Sequence, residues 1–374
     1  MGKKSVVFLV AVVAIVSLVI VGCAPEAAPP APPEEEEAPP PEEEEEAPPA
    51  APEAKVIKWV AQSHAGAISE QHTSLLRVAD KIREASNGRL DITAEVGGGI
   101  APASKEFDAV DKGVLDCAVT CFMYWMDKFP AAGLFTMKSG GMSPMEALCW
   151  FREGGGAELA DEMIKGYKVH IIPSGGWMGP PENFLHTNKP LKKRGDIKGL
   201  KLRAAGDGGE ILSKLGGGMV MMPAGEIFES MERGVIDGFE CSNFTLDWDL
   251  GLYEVGDYLW VSGCRQPYEF NPFIVNIDRW NELSDDLKAI VEEVNKCESF
   301  RAYAECIRMD MEAREKFVDY GTMVETLPPE IVEEYLEAAG KFYADKAAAD
   351  PFEAKVIKSY DEFQEAFRAI WARP

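Results

Sequence analysis

Residues 196–240 read DIKGLKLRAAGDGGEILSKLGGGMVMMPAGEIFESMERGVIDGFE. Leu200, Leu202 and Ala204 alternate with Lys201 and Arg203, the signature of a short half-exposed strand that carries Arg203 toward one face. Gly206, Gly208 and Gly209 then interrupt the chain, and residues 210–215 read as a helix stopped by Gly216, Gly217 and Gly218. Residues 219–222 form a second apolar strand. Pro223, Glu226, Met231 and Gly234 fit a loop, a helix and its C-terminal cap. Residues 235–239 form a third strand that delivers Glu240 at its end. Strand, helix, strand, helix, strand in so short a span is the unit of an α/β domain. Arg203 and Glu240 fall at strand ends, where such sheets place ligands.

Working toward the N-terminus, the β-α-β pattern repeats. Residues 56–61 read as a strand. Ser69 caps a helix running to about Ser86, with Leu75, Leu76, Ala79, Ile82 and Ala85 on its apolar face. Strands follow at 90–96 and 115–120, with a helix at 107–112 between them, which predicts a parallel-rich sheet. Gly97, Gly98 and Gly99 form a loop without the lysine that a phosphate loop requires. Residues 143–166 are helical and 169–173 extended. Toward the C-terminus, residues 273–276 are a strand. Residues 284–316 have Leu287, Ile290, Val291, Val294, Cys297 and Phe300 at helical spacing. Two more helices start near Pro329 and Pro351.

The first 54 residues are of another kind. Lys3 and Lys4 precede a nearly unbroken apolar run that ends at Gly22-Cys23. The run is short for a membrane span and suits a signal peptide cleaved before an acylated Cys23. Residues 24–54 contain only Ala, Pro and Glu and cannot build a core. As an extended polyproline spacer they reach up to about 95 Å at ~3.1 Å per residue.

Net charge is −25. Without the signal lysines and the eleven linker glutamates, the folded part carries −16. That opposes binding to nucleic acid or an anionic membrane surface. An anionic ligand therefore needs a local positive site, which puts weight on Arg203. Beyond Cys23 there are seven scattered cysteines, without a Cys-x-x-Cys pair, and four histidines, none clustered. The spacing of a zinc or iron–sulfur site is absent, so the thiols read as small apolar groups.

The 196–240 stretch, and less specifically residues 56–370, resembles the solute receptors of tripartite ATP-independent periplasmic (TRAP) transporters. The similarity is greatest to the branch that binds 2-oxo and 2-hydroxy acids. The resemblance implies a two-lobed periplasmic-binding-protein-like α/β fold with a hinge and long C-terminal helices. Lobe I would span 55–178 and lobe II 179–265, with 266–374 returning to lobe I and adding the helices. It implies that Arg203 clamps a carboxylate, with Tyr124, Trp125, Glu182 and Asn183 around the ligand. A cation would be held by Glu240, the Cys241 carbonyl, Gln266 and Glu182. Glu182 stands where the family usually has glutamine, and Asn183 takes that role if the register shifts by one. Cys241 stands where the family usually has tryptophan. The extra charge of Glu182 favours calcium, with sodium the other candidate. Further implications are membrane permease subunits as partners, a place at the outer face of the cell membrane or in the periplasm, and a homodimer formed by exchanging the last helix; the lipid anchor is expected from Gly22-Cys23 and not from the resemblance. In the alternative, that helix packs on its own lobe. A receptor for a C4-dicarboxylate and a metal-dependent enzyme are the competing readings. The enzyme would need a base or nucleophile signature, and none is found.

Overall fold

The computed structural model describes residues 56–220, 222 and 226–370. The signal peptide, Cys23, the linker, Pro223 and Trp371 lie outside these residues. Two sheets organise the described chain. The first has the order β2-β1-β3-β10-β4, built from β1 (Ile57–Ser63), β2 (Leu90–Glu95), β3 (Cys117–Val119), β4 (Val169–Gly179) and β10 (Glu269–Asn276). The second has the order β11-β9-β5-β8-β6-β7. Its members are β5 (Leu185–Thr187), β6 (Lys201–Arg203), β7 (Gly218–Met219), β8 (Gly238–Phe239), β9 (Tyr258–Val261) and β11 (Met323–Thr326). Each sheet is one lobe of a two-lobed α/β fold, and each is mixed. In the first, β10 runs antiparallel to both neighbours.

The chain passes from the first sheet to the second after β4 and returns before β10. Strand β11 then crosses again, pairing parallel with β9 in the second sheet. This third crossing corrects the reading of residues 266–374 as a simple return to lobe I. Strand β4 is longer than its sequence suggests because it continues through Gly175 and Gly176. At Gly176 (φ +128°) a Cβ would lie 2.1 Å from the Asn271 carbonyl oxygen on β10, so only glycine allows the strands this close.

Helices α1 (Glu70–Ala85), α2 (Glu106–Asp111), α3 (Pro144–Glu153) and α4 (Gly156–Met163) belong to the first lobe. Ser69 caps α1 by accepting from the His72 amide, as the sequence predicts. Leu76 and Ala85, expected on the apolar face, are exposed. Helices α5 (Gly206–Lys214), α6 (Ile227–Glu232) and α7 (Phe244–Asp249) pack in the second lobe. The short α8 (Ile277–Asn281) leads into α9 (Asp285–Tyr320), which lies against β4, α1 and α7 and so touches both lobes. Its buried stripe is more polar than expected, passing through Asn295, Glu298 and Ser299, while Cys297 and Phe300 face solvent. Ser299 donates its hydroxyl toward the Ser174 and Gly176 carbonyls, at 2.7 and 2.9 Å, tying α9 to the far end of β4.

Helices α10 (Pro329–Ala349) and α11 (Pro351–Ile370) close the fold. In this chain α11 packs on its own lobe. Val356, Ile357 and Tyr360 are buried, and the Tyr360 hydroxyl accepts from the Met142 amide at 2.6 Å. Lys346 on α10 sits between Asp207 of α5 (3.3 Å) and Glu353 of α11 (3.2 Å). This buried ionic cluster joins the second lobe to the C-terminal helices.

Candidate functional site

Strands β6 and β8 are parallel neighbours with Arg203 opposite Phe239, so register alone puts Arg203 beside Glu240. The Arg203 Nη1 donates to the Glu240 carbonyl at 2.6 Å and to its Oε1 at 3.0 Å, and Nε donates to the Met222 carbonyl. The Ala205 amide donates to the same Oε1 at 2.8 Å. Residues 206–209, expected to interrupt the chain, are instead the first turn of α5. Two of the glycines are there for clearance. A Cβ at Gly209 would come within 2.9 Å of the Ala204 backbone, and one at Gly208 within 2.9 Å of the Arg265 Cγ.

Arg265 is the hub of the site and was not read from the sequence. It is 2% exposed. Nη1 lies 3.1 Å from the Glu240 Oε2 and Nη2 lies 2.5 Å from the Glu182 Oε2. Nη2 and Nε also donate to the Asn183 and Phe184 carbonyls. The Gln266 Nε2 donates to the Glu182 Oε1 at 2.8 Å. Arg203, Glu240, Arg265, Glu182 and Gln266 thus form one row of alternating charge ending in an amide. Burial pushes the Glu182 carboxyl up to about 8; Arg265 pulls it down, and Glu240 and Glu269 oppose that pull.

This row lines a cavity of about 70 Å³ between the two sheets. Cys121, Met123, Met137 and Glu269 supply its first-lobe wall, and Ala205 and Cys241 its second-lobe wall. At ~10–15 Å³ per water-sized occupant, that is room for roughly five to seven such groups. The space suits a very small ligand set against soft sulfur-bearing side chains.

Three expected residues sit elsewhere. Trp125 is in the first-lobe core, with its ring 4.7 Å from both Phe107 and Phe122, because a large ring after a strand end is stabilised more by burial than by a polar cleft. Tyr124 packs edge-on to His64 at 5.6 Å, outside this cavity. The Asn183 amide turns into the second lobe and donates to the Asp247 Oδ2 at 2.9 Å, which also meets His186. Asn183 therefore does not replace Glu182. Cys121, Met123, Met137, Arg265 and Glu269 were missed. The one signal for the last two was an Arg-Gln-Pro-Tyr-Glu run just before an apolar strand.

Carboxylate, amide and backbone oxygens are hard donors of the kind that hold calcium or sodium. Each ion-paired carboxylate oxygen keeps a second lone pair for a cation. Among the described residues, no three His, Cys, Asp or Glu side chains form a ready metal cluster. A cation held here would therefore need amide and carbonyl donors as well as Glu182 and Glu240. The seven cysteines of the folded part are all free thiols.

The chain is similar to known proteins over most of its length. Residues 61–350 match the family described as bacterial extracellular solute-binding protein, family 7. A monocarboxylate 2-oxoacid-binding periplasmic protein of Nostoc sp. is 26% identical over 79% of this chain and 80% of its own length. Two crystal structures of TRAP periplasmic solute-binding proteins are each 27% identical, covering 84% of this chain and 96% of theirs. The one from Colwellia psychrerythraea, with bound calcium and pyruvate, superposes with a TM-score of 0.78. The one from Pseudoalteromonas atlantica, with bound sodium and pyruvate, gives 0.77. A two-lobed α/β chain whose cleft holds a row of alternating charge, matched to that family over most of its length, belongs to the extracellular solute-binding proteins of family 7, the extracytoplasmic solute receptors of TRAP transporters.

Proposed function

We propose that this receptor binds a small 2-oxo or 2-hydroxy monocarboxylate, pyruvate or lactate in size, together with one cation in the cavity between the sheets. The observation that carries the reading is the alternating row from Arg203 to Gln266 along a cavity of about 70 Å³. Arg203 Nη2 has no hydrogen-bond partner among the described residues, and the ligand carboxylate accepts there as one half of a guanidinium pair. Glu240, the Cys241 carbonyl, Gln266 and Glu182 would hold the cation, which supplies positive charge to the ligand's oxygens. Met123, Met137 and Cys121 cover the ligand's carbon end. The lobes 55–178 and 179–265 close over the ligand by hinge motion, with β11 crossing alongside. Binding and release complete the task, and no bond in the ligand is broken. A metal-dependent enzyme would need a base or nucleophile at the site, and a C4-dicarboxylate would need a second anion contact in the same small space.

Calorimetry with pyruvate, in calcium and in sodium, tests the reading. Arg203→Ala should weaken binding by about 2–5 kcal/mol, the cost of losing a charge-assisted contact in a closed cleft. Wild-type affinity in that variant refutes the assignment. The same proposal extends to acylation of Cys23, to delivery to the membrane permease subunits, and to a homodimer formed by exchange of α11. Labelled palmitate incorporated by wild type and not by Cys23→Ser tests the first. Light scattering tests the last, with a monomer at micromolar concentration favouring α11 on its own lobe.

A further inference from the structure

Glu182 alone does not call for a divalent cation, because Arg265 already lies 2.5 Å from it. Across the cavity stands a carboxylate with no such partner. Glu269 opens β10, pairs with Gly179 at the point where the chain leaves the first lobe, and lines the cavity. It is partly exposed. Among the described residues it makes no ion pair, whereas Glu182 and Glu240 are both paired to arginine. Burial raises its carboxyl, and when ionised its charge acts on both Cys121 and Glu182, so it sits within electrostatic reach of the row.

With its carboxylates ionised, as they are once a cation has displaced the Glu182 proton, the cavity holds two arginines and three glutamates, a surplus of one negative charge. A monocarboxylate ligand raises the surplus to two. A sodium ion would leave one charge uncompensated in a site closed from water, a costly arrangement. A divalent ion brings the closed cavity to neutrality.

We infer that Glu269 is the specificity-determining residue for the cation, setting the cavity's charge so that a divalent ion is taken in preference to a monovalent one. This rests on the cation reading proposed above. Glu269 acts from the first lobe, opposite the second-lobe donors Glu240 and Cys241, so its contribution is largest when the lobes are closed.

The test is calorimetric titration of the metal-stripped full chain with calcium chloride and with sodium chloride, alone and with pyruvate present. Wild type should hold calcium against a large excess of sodium. Glu269→Gln should weaken calcium by roughly tenfold or more and sodium by about threefold or less, since affinity for hard cations follows ligand charge. Glu269→Asp keeps the charge and should retain more of the calcium preference than Gln does. The inference is overturned by an unchanged calcium-to-sodium ratio in Glu269→Gln, or by equal loss of both ions. It is also overturned if metal-free wild type binds alanine more tightly than pyruvate, because Glu269 would then serve a ligand ammonium group. If Glu269→Gln does not fold, sodium displacing calcium from wild type at modest excess overturns it directly. A wild type that binds pyruvate with no cation removes the proposed cation site itself, and this inference with it. A calcium-requiring wild type whose ratio survives Glu269→Gln removes this inference alone.

Discussion

Replacing Arg265 by methionine should separate what holds the site together from what holds the ligand. The guanidinium is 2% exposed and serves Glu182 (8%) and Glu240 (4%), besides two backbone carbonyls. Methionine keeps the stem that passes over Gly208, so little packing volume is lost. What is lost is the only ion-pair partner of Glu182 among the described residues. Removing one member of a buried ion pair costs about 3–5 kcal/mol. Two features pull the figure to the lower end. Glu240 keeps Arg203, and Glu182, already pushed up to about 8, can hold a proton at neutral pH. A loss of about 3 kcal/mol, at roughly 2–4 °C of melting temperature per kcal/mol for chains of this order of size, gives a fall of about 6–12 °C. Scanning calorimetry of the metal-free protein at pH 7 measures it. Adding Glu182→Gln to Arg265→Met removes the stranded charge and should recover about half of the loss. A fall of less than about 2 °C, or a double variant weaker than the single one, would refute the placing of Arg265 as the hub.

Three further outcomes are expected. Because the Glu182 carboxyl is raised from 4.5 to about 8 in the folded state, the metal-free fold holds a proton that the unfolded chain has released, and its stability from this group falls as pH climbs between those values. Cation binding at pH 7 should expel that proton, seen as a dependence of the calorimetric heat on the buffer's ionisation enthalpy; no dependence would contradict it. Lys346→Met strands Asp207 and Glu353 and should cost about 2–3 kcal/mol at pH 7, a deficit that shrinks as pH falls because burial raises the Asp207 carboxyl and it takes up a proton, measured by urea unfolding. Tyr360→Phe leaves the buried Met142 amide without its acceptor and should lower stability by about 1–3 kcal/mol, with α11 loosening first in hydrogen exchange.

Parts of the site were legible for a plain reason. Arg203 and Glu240 each follow an alternating apolar run, and parallel pairing of two such strands puts their ends side by side. Gln266 came through resemblance alone. Arg265 and Glu269 were hidden because their role depends on which segments return to the cleft, and nothing local shows that the 263–269 run does so. Trp125 was misplaced because an aromatic residue after a strand end fits a cleft wall and a core equally well in the sequence. The start of α5 was lost because glycine, read as a break, was serving the passage of Arg265. Strand β11 was unread because its four residues are short, half-polar and preceded by a 36-residue helix.

The place of β10 between β3 and β4 fixes an order of assembly. Strand β4 has β10 as its partner in the first sheet, yet about ninety residues, the core of the other lobe, separate them in the chain. The first lobe cannot complete its sheet until residue 276 is available, and every contact that completes it spans a long loop. Contacts of such sequence separation slow folding. Until then β3 and β4 present unpaired edges, which are open to wrong partners. For an extracytoplasmic protein the expected consequence is a chain that completes its first lobe late and so stays extended for longer.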